Sequence, residues 1–251
     1  MVLPFAEYLA AIRREGDRFA AAVAAGDLDA TVPTCPEWTL RELAHHLGRT
    51  HIWAAVHVEQ ARDTPLSKDE EQVVWGAMPS DAEVVAWYRG TRDRLVAALE
   101  AAPPDLACWT FLPNSPPPRA FWARRQAHEL TIHRVDAQYV AGPVEPVSVE
   151  FALDGIDELL VGFYGRPRSR LRSDPPCTLS VRVDEASWLV HIGLEGARAE
   201  HSEAPGDCTV RGGASEVYYA LWNRRPLAAL HVDGDPAVLD VWTGKAHVRW
   251  V

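Results

Sequence analysis

Lysine is nearly absent from this chain. Of 25 basic residues among 251, only Lys68 and Lys245 are lysines, and the rest are arginines. Those bases are outnumbered by 35 acids, giving a formal net charge of −10. Such a chain has no general attraction for phosphate, so nucleic acid is not an expected partner. Long hydrophobic runs are missing too, and none approaches the roughly 20 residues that span a bilayer. The N-terminal stretch MVLPFAEYLAAIRREGDR has no basic start before its apolar part. It reads as an amphipathic helix and not as a secretory signal. The four cysteines (Cys35, Cys108, Cys177, Cys208) are scattered with no CxxC pair. That excludes a cysteine-built metal knuckle and argues against a disulfide framework. No membrane partner is expected, and a cytoplasmic location is the default.

What is present is an ordinary globular composition, 47% hydrophobic and 24% charged, which excludes a disordered chain. Apolar periodicity predicts helices over 4–25, 39–61, 80–101 and 119–141. Thr39 is a candidate cap for the second, and Ser80 with Glu83 a candidate capping box for the third. Four such helices joined by loops suggest a four-helix bundle. The segment GPVEPVSVE (142–150) reads as a linker, followed by a helix over 148–164. Short β-like runs follow at 177–184, 187–194, 197–202 and 208–213, predicting a small antiparallel sheet. Helical pattern returns at 214–225 and 236–242. The expected architecture is therefore a bundle over 1–145 and a small α+β domain over 146–251.

The histidines carry the chemical signal. HELTIH (128–133) is not a zinc-protease motif, because HExxH needs its second histidine at position 132, which is Ile132. His128 and His133 lie about 140° apart around a helix and cannot share an ion from one face. Glu129 and His133 are four apart and can. They belong to a stripe, Trp122, Gln126, Glu129, His133, Ala137 and Val140, that is apolar at both ends and polar in the middle. A core-facing Glu and His need partners, since burying an unpaired charge is costly. The second helix offers a third ligand. There His46 lies on one flank of the apolar stripe, His51 on the other, and His45 faces away. Periodicity favours His46 and leaves His51 open. Three ligands with an open position are the pattern of a catalytic zinc site. On periodicity alone, the plainer reading is a satisfied Glu–His link inside a bundle.

CPEWTLRELAHHLGRTHIW (35–53) and RRQAHELTIHRVDA (124–137) resemble the two signature segments of the mycothiol-dependent maleylpyruvate isomerase family, a branch of the DinB-like metal-dependent thiol enzymes. The first pattern, Cys-Pro-x-Trp and then a histidine just before Leu-Gly, implies His46 as a metal ligand. The second falls on Arg125, Glu129, His133, Arg134, Asp136 and Ala137, and implies Glu129 and His133 as the other two. GGASEVYYALWNRRP with VDGDPAVLDVW (212–242) is similar to the family's C-terminal domain, which is sterol-carrier-like in shape. There the family has a Trp-Gly-Arg-type step and uses an arginine near its active site. This chain has Trp-Asn-Arg, so Arg224 is the match for a catalytic role, with Arg225 adjacent.

The resemblance implies zinc or another divalent metal, mycothiol as thiol cosubstrate, and a small electrophilic substrate that is isomerised or takes up the thiol. The alternatives are a non-catalytic metal- or ligand-binding protein and a metal-dependent hydrolase. Trp38 reads as a helix-entry anchor. Asp136 reads either as an orienting partner of His133 or as a surface or capping residue. Cys35 sits in a loop with no charged partner evident.

Overall fold

The structure is a computed structural model and describes residues 2–113, 115–166, 169–183 and 186–248. The chain divides into two compact units, one of Pro4–Phe111 with Ser115–Glu145, the other of Met1–Leu3, Leu112–Asn114 and Pro146–Val251.

The first unit is helical. Its long helices are α1 (Phe5–Ala25), α2 (Leu40–Glu59), α4 (Val84–Ala101) and α5 (Pro118–Ala141). A short α3 (Lys68–Trp75) lies between α2 and α4. Thr39 caps α2 in a complete capping box with Glu42. Ser80 also meets Glu83, its backbone N–H and hydroxyl both donating to the carboxylate. Residues 81–83 nevertheless form a turn, and α4 starts only at Val84.

Two elements of this unit had no place in the sequence-based layout. One is α3, although Ser67 and Glu70 form a capping box ahead of it. The other is a hairpin of β1 (Thr31–Val32) and β2 (Cys35–Thr39), too short to show a period. The core is built from Tyr8, Ile12, Phe19, Leu43, Leu47, Leu95, Leu99, Trp122 and Leu130, all buried. Gly48 lets α2 close on α4, since a Cβ there would lie 2.1 Å from the Trp87 ring.

His51 sits in this core, fully buried, its ring 5.5 Å from that of Tyr88. Neither ring nitrogen has a hydrogen-bond partner among the described residues. Burial first, then the Arg92 charge, pushes its pKa down to about 3. The unfolded histidine titrates near 6.5. Below that pH the unfolded chain takes up a proton that the folded chain refuses. Stability is therefore lost as pH falls toward 3, by up to about 1.4 kcal/mol per pH unit. Denaturant midpoints between pH 7 and 4 should fall more steeply in the wild type than in His51→Gln. Parallel slopes would show that His51 is not the group responsible.

The second unit is α+β. Ser148 caps α6 (Val149–Asp157) by accepting from the Phe151 N–H. The predicted helix over 148–164 continues past α6, but its turns widen over Glu158–Phe163, where Tyr164 N–H donates five residues back to the Leu159 carbonyl. Five strands follow: β3 (Cys177–Val183), β4 (Ala186–Gly193), β5 (Gly196–His201), β6 (Cys208–Arg211) and β7 (His231–Gly234). Their order is β5-β4-β3-β6-β7. All neighbours are antiparallel except β3 and β6, which run parallel. The sheet is thus mixed where the sequence pattern suggested a purely antiparallel one. The polar β7, His-Val-Asp-Gly, carries no strand-like run.

Helices α7 (Ala214–Leu221) and α8 (Ala237–Lys245) complete the unit. Leu179, Val181, Val190, Val210, Tyr218 and Trp242 are buried in it. No helix among the described residues is long and apolar enough to cross a membrane.

Candidate metal centre

Helix α5 is unusual in being buried on every side. All residues from Phe121 to Gln138 are buried, including Arg124, Arg125, Gln126, His128, Glu129, His133, Arg134 and Asp136. A polar side chain held there must find a partner or lose free energy. Arg134 donates to Glu15 of α1 at 2.9 Å and to Gln138 at 2.7 Å. Arg125 donates from Nη2 to Glu129 Oε2 at 3.2 Å. Glu129 and His133 meet one residue of α2, His46.

His46 Nε2 lies 3.4 Å from Glu129 Oε1, and His133 Nε2 lies 3.3 Å from the same oxygen. One ligand atom from each residue lies within 4.8 Å of the others. A tetrahedral ion with bonds of about 2.0–2.1 Å has ligand-to-ligand edges of about 3.3–3.4 Å. The two nitrogen-to-oxygen edges already have that length, and two nitrogens with one oxygen suit a borderline ion such as zinc. The donor set therefore fits a divalent metal.

The partners behind these residues fix their orientation. His133 Nδ1 lies 2.9 Å from Asp136 Oδ2. A proton on Nδ1 directs the Nε2 lone pair toward Glu129 and His46, which is how an outer carboxylate commonly orients a metal histidine. Asp136 is itself held by the hairpin, accepting from Thr34 Oγ1 at 2.5 Å and from Cys35 Sγ at 3.6 Å. Asp136 is fully buried and so is not the surface or capping residue of the second reading. The Trp38 ring packs 4.6 Å from that of His46 and 6.0 Å from that of His133, so it covers the cluster as well as entering the helix.

The charges follow from this packing. Burial pushes the Glu129 carboxyl upward, but hydrogen bonds from His133 and His46 and the Arg125 charge outweigh it and hold it well below the usual range. Burial lowers His133, yet Asp136 and Glu129 raise it to about 9. His46 is lowered by burial, with only partial relief from Glu129. Without an ion, the proton on His133 thus takes the place of positive charge between two carboxylates.

The other histidines stay apart from this cluster. His45 packs edge-on against Trp87 at 6.0 Å and is only partly exposed, so it does not simply face solvent. His51 lies in the core beside Tyr88. His128 packs edge-on against Tyr8 of α1.

The chain matches the family model of the mycothiol maleylpyruvate isomerase N-terminal domain over residues 9–138, and that of the family's C-terminal domain over residues 150–240. It belongs to the mycothiol maleylpyruvate isomerase family. Two solved structures share the fold. One is a mycothiol-dependent maleylpyruvate isomerase, 14% identical, with a TM-score of 0.65 over 92% of this chain and 93% of that one. The other is a histidine-to-alanine mutant of the mycothiol-dependent maleylpyruvate isomerase, 13% identical, with a TM-score of 0.66 and the same coverage. No curated protein matches the chain significantly.

The second unit holds the arginine that the family resemblance singles out. Helix α7 ends where Asn223 adopts φ 58°, a left-handed conformation that glycine and asparagine tolerate best. Arg224 N–H then closes the helix end on the Tyr219 carbonyl, five residues back. Asparagine tolerates this backbone, as would the glycine that the resemblance implies at this step. The turn also ends the helix before the predicted residue 225. Arg224 Nη1 donates to the Trp222 carbonyl at 2.8 Å, while Arg225 is engaged by Glu216 at 3.0 Å.

Proposed function

We propose that this chain is a metal-dependent thiol isomerase that uses mycothiol at the His46, Glu129 and His133 cluster to isomerise a small electrophilic substrate. The observation that supports it most is the cluster itself, two nitrogens each at tetrahedral edge length from one shared carboxylate oxygen, in a chain of this family. A divalent ion held there would supply a Lewis acid that lowers the pKa of a thiol, near 8.5 when free, so that its proton passes to solvent and the thiolate can add reversibly to a conjugated double bond. Release after rotation gives isomerisation, and retention gives a thiol conjugate.

The chain's own residues do the rest. His46, Glu129 and His133 would hold the ion, supplying two nitrogens and one oxygen. Asp136 keeps the His133 lone pair aimed at it. Arg125 balances the second Glu129 oxygen, and Trp38 shields two ligand rings from water. Arg224 is the residue we assign to contact with the substrate or cosubstrate.

The test is a comparison of the zinc-loaded protein with mycothiol, with glutathione and with no thiol, using a cis-configured conjugated keto acid. Turnover should require thiol and favour mycothiol. In a cobalt-substituted sample, mycothiol should also raise a sulfur-to-metal charge-transfer band. Arg224→Ala should lower turnover far more than metal content, with Arg225→Ala as the neighbouring control. Equal turnover without thiol and an unchanged cobalt spectrum would replace this reading with a hydrolase. No turnover in any arm would leave a binding protein.

A further inference from the structure

Most arginines of the helical unit sit on carboxylates, as Arg41, Arg62, Arg92, Arg94, Arg125 and Arg134 do. Arg49 does not. No carboxylate pairs with it among the described residues, and its Nε is buried without a hydrogen-bond partner. The guanidinium stacks 5.2 Å from the Trp75 ring, and Trp75 in turn donates to the Arg49 carbonyl at 3.2 Å. The side chain is therefore held in place, yet it has no counter-charge. A partly buried cation left unpaired is costly unless something else supplies the anion.

Its position says what that anion is near. On α2, His46, Arg49 and Trp53 follow one another at three and four residues, and each is only partly exposed. The facing stripe of α5 is Trp122, Gln126 and Glu129. Its two ends touch α2, Trp122 against Trp53 at 5.1 Å between rings and Glu129 against His46. Gln126 lies between them on the same stripe, as Arg49 lies between Trp53 and His46 on α2. It is 1% exposed, and its Oε1 has no partner. A half-turn of the amide exchanges that oxygen for two N–H donors. A fixed guanidinium and an unused buried amide, one helical turn from the candidate metal ligands, make a receptor for a planar carboxylate.

We infer that Arg49 and Gln126 form a carboxylate-binding subsite in the helical unit, which selects an anionic substrate and sets its distance from the His46, Glu129 and His133 cluster. The link to turnover rests on the thiol-isomerase reading, whereas binding of the anion does not.

The test is calorimetric titration of the full-length, metal-stripped protein with fumarate, a rigid dicarboxylate, and with its neutral diamide. Arg49→Met keeps the apolar stem on Trp75 and should weaken fumarate binding on the order of 10- to 100-fold. Arg49→Lys keeps the charge without the fork and should fall between Arg49→Met and the wild type, which also covers the case in which the methionine variant does not fold. Arg89→Met, which removes an exposed arginine of the same unit, should change nothing. The diamide should not distinguish wild type from Arg49→Met. In the loaded enzyme, Arg49→Lys should raise KM more than it lowers kcat. Unsaturable fumarate binding in the wild type, equal binding in Arg49→Met, or equal loss in Arg89→Met would each overturn the subsite. Turnover without thiol would sink the isomerase reading and leave the fumarate result standing.

Discussion

Replacing Glu129 with alanine is expected to strip the protein of divalent metal. Glu129 is the shared member of the cluster, with one oxygen 3.4 Å from His46 and 3.3 Å from His133. It is also the only negative ligand. Its loss leaves the buried Arg125 without the carboxylate it donates to at 3.2 Å, so a positive charge then repels the ion. Outer-sphere partners of metal sites typically cost 10- to 100-fold in affinity, and a direct ligand should cost about 100-fold or more. His46→Ala and His133→Ala should lose metal as well. His45→Ala should keep it, because its ring is engaged by Trp87.

Elemental analysis and chelator competition measure these changes, with circular dichroism checking that each variant folds. Metal retention in Glu129→Ala, or loss in His45→Ala with retention in His46→Ala, would contradict the ligand set. The proton on His133 adds a second signature. An ion must displace it, so wild-type affinity should rise with pH until about 9, by up to about tenfold per unit.

The largest expected loss of stability comes from Glu15. This carboxylate and Arg134 are both fully buried, and they meet at 2.9 Å between α1 and α5. Removing one member of a buried pair strands the other charge, at a cost of about 3–5 kcal/mol. At roughly 2–4 °C per kcal/mol, Glu15→Ala should melt on the order of 10 °C lower. Glu15→Leu combined with Arg134→Met should recover part of that loss, because an apolar pair carries no desolvation cost. Recovery will be incomplete, since Arg134 also donates to Gln138 and to the Glu145 carbonyl, and Glu15 also accepts from Arg14 and Arg18. Thermal and denaturant unfolding of the three variants decides the matter. A Glu15→Ala cost below about 1 kcal/mol would mean that the pair is solvated in solution.

The long helices were legible because apolar residues recur at helical spacing over some 20 positions, as around Leu40, Leu43 and Leu47. The place of His46 beside Glu129 and His133 was legible for a related reason, since its angular offset from that stripe follows from 100° per residue. Its choice over His51 needed the family pattern, because both lie on flanks. Elements that rest on few residues were not legible. The β1–β2 hairpin and β7 are too short to show a period, and the start of α4 depended on a turn that interrupts a correct capping pair. The wide turns after α6 leave no trace in residue type.

Within the site, contacts between residues far apart in sequence were invisible. Thr34 and Cys35 reach Asp136 across about a hundred residues. Trp38 read as an anchor because nothing in its local pattern shows which rings it will cover. Arg49 gave no signal, since the absence of a carboxylate partner exists only in three dimensions.

Because α5 is enclosed on every side, the helix that bears Glu129 and His133 is also the main beam of its unit. Changes that alter its chemistry will tend to damage folding too, so this helix has little room to drift. Arg49, half-open on α2 and outside the ligand set, is under no such double constraint. Divergence in what relatives accept should therefore accumulate at positions such as Arg49, while the cluster it would serve stays fixed on the neighbouring helix.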